Sequence, residues 1–417
     1  MPVIGHSDPL AALAPTQIRD IVHASVESFA VPPGGRVLAI IPDATRSFEP
    51  AVMHAFLEAC PNTDLLVATG THRSMTDAEV AKFLDIPARP ELFASVKVFN
   101  HSIAPEGLDE IGVIPLEKAK ELSGGHVDID IEVTINKLIF QYDLAVIVGP
   151  VFPHEVIGMS GGYKYLFPGI SGMKVVDETH WLGALIGVRD TIGRSETPVR
   201  RMVEYAGEMV QKLRPVHCLA LVIGNKGLQG LWGGDPVSAH RAACPLSQHI
   251  NIFWHEHRYH RVVAQCTPKY QDLWTAGKLA YKTQEVVAEG GEIIMYAPHL
   301  EKITPLHLDV EIIGYHCLPF FLKQWEKYKG YERSSLAHST HVAGPGRFEN
   351  CVEALAARRI LVSKISPERC KQVNLDYMSP EEVEAKYRND PDTLWVEKAG
   401  EQLMMTIAEK DRLGMAI

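Results

Sequence analysis

Several hallmarks of common protein classes are missing from this sequence of 417 residues. No window approaches the roughly 18 consecutive apolar residues that a membrane span needs, so no membrane association is expected. The first residues lack the basic segment and apolar run of a secretory signal, which predicts a cytoplasmic location. Seven cysteines are scattered without a C-x-x-C pair, which argues against a disulfide framework and a structural zinc site.

The chain has more acidic than basic residues, and it lacks the common nucleotide-binding motifs. The formal net charge is −10, whereas nucleic-acid binders concentrate Lys and Arg on one face, so no nucleic-acid partner is expected. Neither G-x-G-x-x-G nor G-x-x-x-x-G-K-[ST] occurs, and the usual nucleotide-binding loops therefore lack support. These absences favour a small molecule as the partner.

Apolar residues fall into short continuous runs separated by amphipathic segments. Such runs are typical of parallel strands, and their alternation with helical patterns predicts an α/β fold. The predicted strands are residues 37–41, 65–68, 96–99, 144–148 and 219–223, followed by 262–264, 292–295 and 360–362. Predicted helices include residues 49–59, 199–213 and 273–288, and residues 379–415 are predicted to form two or three amphipathic helices.

The chain is longer than one hydrophobic core usually organises, so two domains are expected. We predict two α/β domains with an active-site cleft between them. Residues 1–257 would form an N-terminal catalytic and cofactor-binding domain, and residues 258–417 a C-terminal domain that closes over the substrate. Ligands in α/β folds bind beside the loops that follow the carboxyl ends of the strands, so polar residues in those loops are the first candidates for a site.

Three polar side chains follow the first predicted strand. Asp43, Thr45 and Arg46 place a carboxylate, a hydroxyl and a guanidinium in one loop. The planar fork of Arg46 matches a carboxylate by two-point contact, so this loop could hold an acidic substrate. The alternative is that Asp43 caps the following helix and Arg46 is solvated.

Two histidines follow the next two predicted strands. His72 precedes residues 74–79, which have the pattern of a capped helix start. Imidazole has an ordinary pKa of about 6.5 and exchanges protons near neutral pH, so His72 is a candidate acid or base. A structural role is the alternative for His72, and His101 is left without a role.

Glycines surround a single lysine in residues 154–172. Gly161 and Gly162 precede Lys164, and without a Cβ they let the backbone approach a flat or anionic ligand. Lys164 could be a point charge in a phosphate-cradling loop or a covalent anchor, since lysine amines carry acyl and imine chemistry. His180 is a candidate metal ligand, and because one histidine cannot hold a metal alone, a cofactor would supply the remaining ligands.

Together these residues resemble the lactate racemase family, whose enzymes use a nickel-pincer nucleotide. The order and spacing match over most of residues 36–245. The resemblance implies that pyridinium-3,5-bisthiocarboxylic acid mononucleotide with nickel is attached covalently at Lys164 and that His180 binds the nickel. It rests on Asp43-Ala-Thr-Arg46, Gly70-Thr-His-Arg73, His154 through Lys164, Pro168-Gly169 and His180.

The resemblance also implies an isomerase, a racemase or epimerase that inverts C2 of a 2-hydroxy acid. Hydride would pass reversibly to the cofactor through a 2-keto acid, with His72 and His154 as acid and base on opposite faces. Arg46 would hold the substrate carboxylate, with Asp43 orienting it or contacting the cofactor ribose. Cofactor-maturation enzymes are expected partners, because other proteins make this cofactor in the family. The remaining cofactor contacts would come from Asp43, Thr45, Gly161 and Gly162.

The second domain resembles the family more loosely. Lys278 matches a lysine that reaches the substrate carboxylate, while Trp274 and Thr275 stand where lactate-specific members carry tyrosine and glutamine. This departure and the polar residues 334–341 favour an aldonate-type substrate over a short aliphatic 2-hydroxy acid such as lactate. Trp274 could instead pack between domains. The oligomeric state and the roles of three further histidines stay open: His240, His338 and His341.

Two other functions fit parts of the sequence. An NAD-dependent 2-hydroxyacid dehydrogenase would explain the α/β pattern, but the dinucleotide-binding glycine motif is absent and the Lys164 loop opposes it. A non-catalytic ligand-binding homologue would have no use for His72, His154, Lys164 and His180 together.

Overall fold

The structure of the protein, a computed structural model, describes residues 2–413. Its strands are β1 Ile4–Ser7, β2 Val37–Pro42, β3 Thr63–Ala68, β4 Val98–Asn100, β5 Leu108–Ile114, β6 Ile131–Asn136, β7 Leu144–Pro150, β8 Pro153–His154, β9 Gly158–Met159, β10 Val216–Gly224, β11 Gly227–Gly234, β12 Ile252–His255, β13 Tyr259–Gln265, β14 Val287–Tyr296, β15 Gly346–Glu349, β16 Val352–Leu355, β17 Ala357–Val362, β18 Asp376–Tyr377, β19 Thr393–Val396 and β20 Leu403–Thr406.

Helices connect most of these strands. The α-helices are α1 Pro15–Ser28, α2 Pro50–Ala59, α3 Asp77–Phe83, α4 Pro90–Phe93, α5 Leu116–Ser123, α6 Met173–Ile186, α7 Val188–Thr191, α8 Pro198–Leu213, α9 Pro236–Asn251, α10 Leu273–Ala276, α11 Lys278–Tyr281, α12 Asp309–Ile313, α13 Leu318–Lys323, α14 Trp325–Tyr328, α15 Arg333–Ala343, α16 Pro367–Gln372, α17 Pro380–Tyr387 and α18 Lys410–Leu413. The 3-10 helices are Ile86–Ala88, Pro105–Gly107, Lys137–Gln141, Gly162–Tyr165, Gln284–Val286 and Ile407–Glu409. Among residues 2–413, none of the helices has both the length and the apolar character needed to cross a bilayer.

The chain divides into two compact units. The first comprises Met1–Thr179 and Ser195–Ile250, and the second comprises His180–Arg194 and Asn251–Ile417. The sequence-based division at residue 257 differs in two respects, because it gave residues 180–194 and residues 251–257 to the first domain. The first of these segments packs with the second unit, where Trp181 lies in a core cluster with Leu336 and Ile192 in another with Leu403.

A seven-stranded sheet forms the centre of the first unit, in the order β1-β11-β10-β7-β2-β3-β4. The five strands from β10 to β4 are parallel, while β11 and β1 add to one edge in antiparallel fashion. Every residue of β2 and β7 is buried, as continuous apolar runs predict for the middle of a parallel sheet. The mixed α/β fold predicted from the sequence is confirmed.

The order of the parallel strands reverses between β2 and β7. The chain moves outward from β2 through β3 to β4, and then returns to the other side of β2 with β7 and β10. In α/β folds, ligands bind outside the carboxyl ends of the strands at such a reversal, because the two connections leave the sheet in opposite directions. Asp43 follows β2 at this point, and His154 follows β7.

The second unit has its own parallel sheet and its own core. Its five strands run in the order β18-β17-β14-β13-β19, all parallel, and a large apolar cluster includes Val262, Ile293 and Leu361. The predicted strands at 262–264, 292–295 and 360–362 fall within β13, β14 and β17. Because the segment with α10 and α11 follows β13, Lys278 lies beyond the carboxyl end of a central strand.

Two helix predictions were wrong. Residues 273–288 form α10, α11 and a 3-10 turn, interrupted at Gly277, and β14 already begins at Val287. Residues 379–413 contain α17 and α18 but also β19 and β20, which pair with β13 and β12. Pairing with neighbouring strands outweighs local preference in segments this short. The last two residues of the predicted helical stretch, 414 and 415, lie outside the described residues.

Candidate functional site

Asp43 and His72 form a hydrogen-bonded pair beyond β2 and β3. These strands are parallel with Pro42 opposite Ala68, so the loops after them start side by side. Asp43 Oδ2 lies 2.7 Å from His72 Nδ1. Asp43 Oδ1 accepts hydrogen bonds from the backbone N–H and the hydroxyl of Thr45, at 2.8 and 2.5 Å. Both carboxylate oxygens are therefore engaged within the protein.

The environment of Asp43 keeps it ionised. Burial alone would raise the pKa of its carboxyl, but the charge and hydrogen bond of His72, the charge of Arg46 and the hydroxyl of Thr45 hold the pKa of Asp43 well below its usual range. The alternative helix-capping role is wrong, since Glu49 caps α2. A contact between Asp43 or Thr45 and a cofactor stays a prediction.

Phe152 brings Arg46 and His154 into one neighbourhood. The Arg46 guanidinium carbon lies 5.3 Å from the centre of the Phe152 ring, and the His154 ring centre lies 6.4 Å from it. Arg46 is half-buried, so the solvated alternative does not describe it. The loops after β2 and β7, distant in sequence, thus place a guanidinium and an imidazole near the same aromatic ring.

His154 is held in a short hairpin formed by β8 and β9. It pairs with Gly158 and is only 5% exposed. The backbone N–H of Val156 donates a 3.2 Å hydrogen bond to His154 Nδ1, and Glu155 Oε2 lies 3.4 Å from the same nitrogen. The ring orientation of this predicted catalytic residue is therefore set by its own hairpin.

Lys164 lies half-buried in the 3-10 helix Gly162–Tyr165. The glycines before it, Gly161 and Gly162, have φ of +98° and +58°, a region that favours glycine. A Cβ on Gly161 would lie 2.5 Å from a methyl carbon of Val151, and one on Gly162 would lie 2.9 Å from the carbonyl oxygen of Pro236. Backbone conformation and protein packing thus require both glycines, and their contact with a cofactor stays a prediction.

Arg200, which fixes the glycine-rich segment from α8, was not predicted from the sequence. Its side chain is fully buried and donates to the carbonyl oxygens of Gly161, at 3.1 Å, and Met159. Burial lowers the pKa of Arg200 from its ordinary value. The only signal in the sequence was an arginine beside the apolar positions of a helix, and such residues usually reach solvent.

Two histidines left unassigned by the sequence have structural positions. His101 Nε2 lies 3.1 Å from the carbonyl oxygen of Ser171, and Asn136 Nδ2 lies 3.2 Å from its Nδ1. Burial lowers the pKa of His101 to about 4. His240 packs against Gly161 and Gly162, and burial holds its pKa well below the ordinary value. Both rings are therefore neutral near neutral pH.

In the second unit, Trp274 lies between two buried imidazoles. The His307 ring stacks on it at 3.6 Å with an interplanar angle of 13°, and the His338 ring lies 4.1 Å away at 31°. Two imidazoles cannot occupy one face at these distances, so they cover opposite faces. Only the edge of Trp274 is left for a ligand. Both imidazoles belong to the second unit, so Trp274 packs within that unit, and packing between domains stays a prediction.

Lys278 and Thr275 lie beside this stack. Lys278 is 5% exposed, donates a 3.1 Å hydrogen bond to the carbonyl oxygen of Thr275 and lies 5.2 Å from the centre of the Tyr270 ring. The Thr275 hydroxyl donates to Asp272 Oδ1 at 2.8 Å as part of the cap of α10. Thr275 therefore already uses its hydroxyl within the protein, and substrate binding by these residues stays a prediction.

His180 is half-buried on α6. Residues 2–413 contain no group of three or more His, Cys, Asp or Glu side chains placed to hold a metal ion. A metal bound through His180 would therefore need ligands that this part of the chain does not group together. A group that brings its own metal ligands would fit this donor set.

Comparison with known proteins adds independent information. Residues 17–193 match the model of the lactate racemase N-terminal domain. Over 192 residues the chain is 30% identical to a lactate racemase from Thermoanaerobacterium thermosaccharolyticum. This match covers 45% of this chain and 40% of that protein. It is 26% identical over 245 residues to a lactate racemase from Lactiplantibacillus plantarum, and this match covers 56% of this chain and 51% of that protein. The matched region thus spans about half the length of these relatives or less.

Two solved structures share the fold over nearly the whole chain. A crystal structure of a Thermotoga maritima protein matches with a TM-score of 0.88 and 28% identity, covering 96% of this chain and all of that one. The lactate racemase apoprotein from Thermoanaerobacterium thermosaccharolyticum matches with a TM-score of 0.66 and 19% identity, covering 93% and 92%. The resemblance seen in the sequence is confirmed: residues 17–193 match the lactate racemase N-terminal domain, and the fold is shared with a lactate racemase apoprotein.

Proposed function

We propose that the protein is an isomerase that racemises or epimerises a 2-hydroxy acid at C2. The observation that carries this proposal is the placement of His72 and His154 beyond β3 and β7, each ring oriented by its own hydrogen bond. Both histidines lie in the region that matches the family domain. Inversion of C2 needs a proton acceptor and a proton donor for the hydroxyl oxygen, and two imidazoles can serve both purposes.

The nickel-pincer nucleotide, when bound, would supply the chemistry that accepts a hydride from C2 and returns it. Lys164 would carry this group, and His180 would bind its nickel. The protein itself handles the proton: His72 or His154 removes it from the C2 hydroxyl, and an imidazole restores it after the planar 2-keto acid has formed. Arg46 would hold the substrate carboxylate in a two-point contact, so that C2 keeps its orientation.

For the substrate we propose a polyhydroxy acid of the aldonate type rather than lactate. Lys278, which would bind the carboxylate, follows Gly277, and a Cβ on Gly277 would lie only 2.9 Å from His338 Cε1. His307 and His338 are both buried beside Trp274. A site with polar groups selects for substrates whose hydroxyls pair with them, because an apolar substituent would leave those groups unpaired.

The test is to produce the full chain together with cofactor-maturation enzymes and to assay a panel of 2-hydroxy acids that includes lactate and several aldonates. We expect C2 inversion without added NAD, nickel near one per chain and extra mass on the peptide that contains Lys164. Lys164→Arg should lose the extra mass and the activity, since a guanidinium cannot form the same linkage. A requirement for NAD, or no turnover of any acid by the nickel-loaded protein, would support the alternative functions instead.

A further inference from the structure

The hydrogen bonds of the two proposed catalytic histidines are of opposite kinds. A neutral imidazole has one N–H and one lone pair, and the partner of each nitrogen decides which it carries. His72 Nδ1 faces a carboxylate oxygen of Asp43 at 2.7 Å, whereas His154 Nδ1 faces the N–H of Val156 at 3.2 Å. The two rings therefore have different tautomers.

For His72 the assignment follows from the state of Asp43. This buried carboxylate is ionised and has no proton to donate, so the hydrogen in the 2.7 Å bond belongs to His72 Nδ1. The lone pair then lies on Nε2. An imidazole in this form accepts a proton through Nε2, and the imidazolium that results is stabilised by the adjacent Asp43.

For His154 the backbone decides. The N–H of Val156 points at Nδ1, which must offer its lone pair, so the neutral ring carries its hydrogen on Nε2. Glu155 Oε2 lies 3.4 Å from the same nitrogen and would favour a hydrogen there. His154 Nδ1 carries either a lone pair or a hydrogen in the ring plane, so it cannot accept from Val156 and donate to Glu155 at once. The contact with Val156 is the shorter of the two.

We propose that Asp43 is a positioning residue that fixes His72 in the Nδ1–H tautomer, so that His72 Nε2 is the base for the substrate hydroxyl. In this step the O–H bond breaks, the proton passes to Nε2, and Asp43 stays ionised. The catalytic use of His72 rests on the proposed function, but its tautomer does not. His154, with the opposite tautomer, serves as an internal reference.

Asp43→Asn should reverse the tautomer of His72. Asp43 Oδ1 accepts a hydrogen bond from the backbone N–H of Thr45. In Asp43→Asn, this N–H would hold the carbonyl oxygen of the new amide in the same position. The amide NH2 would then face His72 Nδ1, which would have to accept. The side chain keeps its size, so the change reports on charge and tautomer rather than on lost packing.

The experiment is two-bond ¹H–¹⁵N correlation of histidine side chains in the full chain without cofactor, at a pH where imidazoles are neutral, with signals assigned by single substitutions. We expect Nδ1–H for His72 and Nε2–H for His154, and Nε2–H for His72 in Asp43→Asn. Asp64→Asn is the matched control, because Asp64 is a half-buried carboxylate bonded to Tyr142. It should leave the His72 signal unchanged.

An Nε2–H tautomer of His72 in the unsubstituted chain overturns the proposal, even if Asp43→Asn does not fold. An Nδ1–H tautomer that persists in Asp43→Asn also overturns it. In the nickel-loaded protein, the reversed tautomer should lower kcat by on the order of 10²-fold or more. If the tautomers are as assigned and no acid is turned over, the proposed function fails while the positioning of His72 by Asp43 stands.

Discussion

Arg200 Nη1 donates a 3.1 Å hydrogen bond to the carbonyl oxygen of Gly161, three residues before Lys164. A second bond from the same guanidinium reaches Met159. Met159 ends the two-residue strand β9 and Gly161 lies just beyond it, and a buried cation on α8 satisfies both carbonyl groups. The conformation around Lys164 therefore depends on a residue that touches neither of the proposed catalytic histidines in its described contacts.

Arg200→Met should destabilise the first unit, because the carbonyls of Gly161 and Met159 would lose their buried donor. We expect the free energy of unfolding to fall by roughly 2–6 kcal/mol, at about 1–3 kcal/mol for each of the two unsatisfied groups. Arg200→Lys should recover only part of this loss, because one ammonium group cannot reproduce the two-point contact of the guanidinium. Urea unfolding measures the effect, and equal stability of Arg200→Met and the unsubstituted protein would contradict it.

His101 should make stability depend on pH. Its pKa is about 4 in the folded protein and near 6.5 when unfolded, so between these values the unfolded chain binds more protons. The contribution of His101 is fully present above pH 6.5 and is lost as the pH falls toward 4, by about 3 kcal/mol in total.

The check is urea unfolding at several pH values for the unsubstituted protein and His101→Gln, which keeps a donor for Ser171 without titrating. The variant should lose less stability on acidification. His126→Gln, at an exposed position, should follow the unsubstituted protein. Identical pH curves for His101→Gln and the unsubstituted protein would show that His101 makes no such contribution.

His72→Ala and His154→Ala should each reduce turnover by roughly 10²–10⁴-fold, as expected for loss of a general acid or base. Neither substitution touches Lys164, so the added mass on its peptide should remain. Epimerisation rates of the nickel-loaded variants, with His126→Ala as the control, provide the measurement. Near-normal rates in either variant would remove that histidine from the mechanism.

Trp274→Leu should act mainly on stability. Both faces of the indole pack against imidazoles, so the substitution removes two stacking contacts and leaves a gap, at a cost of about 3 kcal/mol. We expect the unfolding midpoint to drop while KM changes little. A large rise in KM without loss of stability would show instead that Trp274 contacts the substrate.

The sequence predicted the buried parallel strands well, because β2, β7 and β10 are continuous apolar runs. It did not identify β11, whose residues Gly227–Gly234 include four glycines, or the short strand β19, which is half-buried and gains its structure by pairing with β13. In such segments the tertiary partner, rather than the local sequence, decides the conformation.

In the candidate site, too, the sequence indicated some residues, while others depend on tertiary contacts. Asp43 and His72 could be named because polar residues after parallel strands gather at one edge, but their bond depends on the register of β2 and β3. Arg200 could not be found, since its partners are backbone carbonyls and carry no sequence signal. The imidazoles around Trp274 come from separate segments, and only the packing of the second unit brings them together.

Hydride transfer at C2 is tested by following the hydrogen on that carbon. The nickel-loaded protein is incubated in D₂O with one epimer of its 2-hydroxy acid, and the product is analysed for configuration and deuterium. Hydride removal and return predict inverted product that keeps the original hydrogen at C2, with no added NAD. Deuterium at C2 would show proton exchange with solvent and contradict the account.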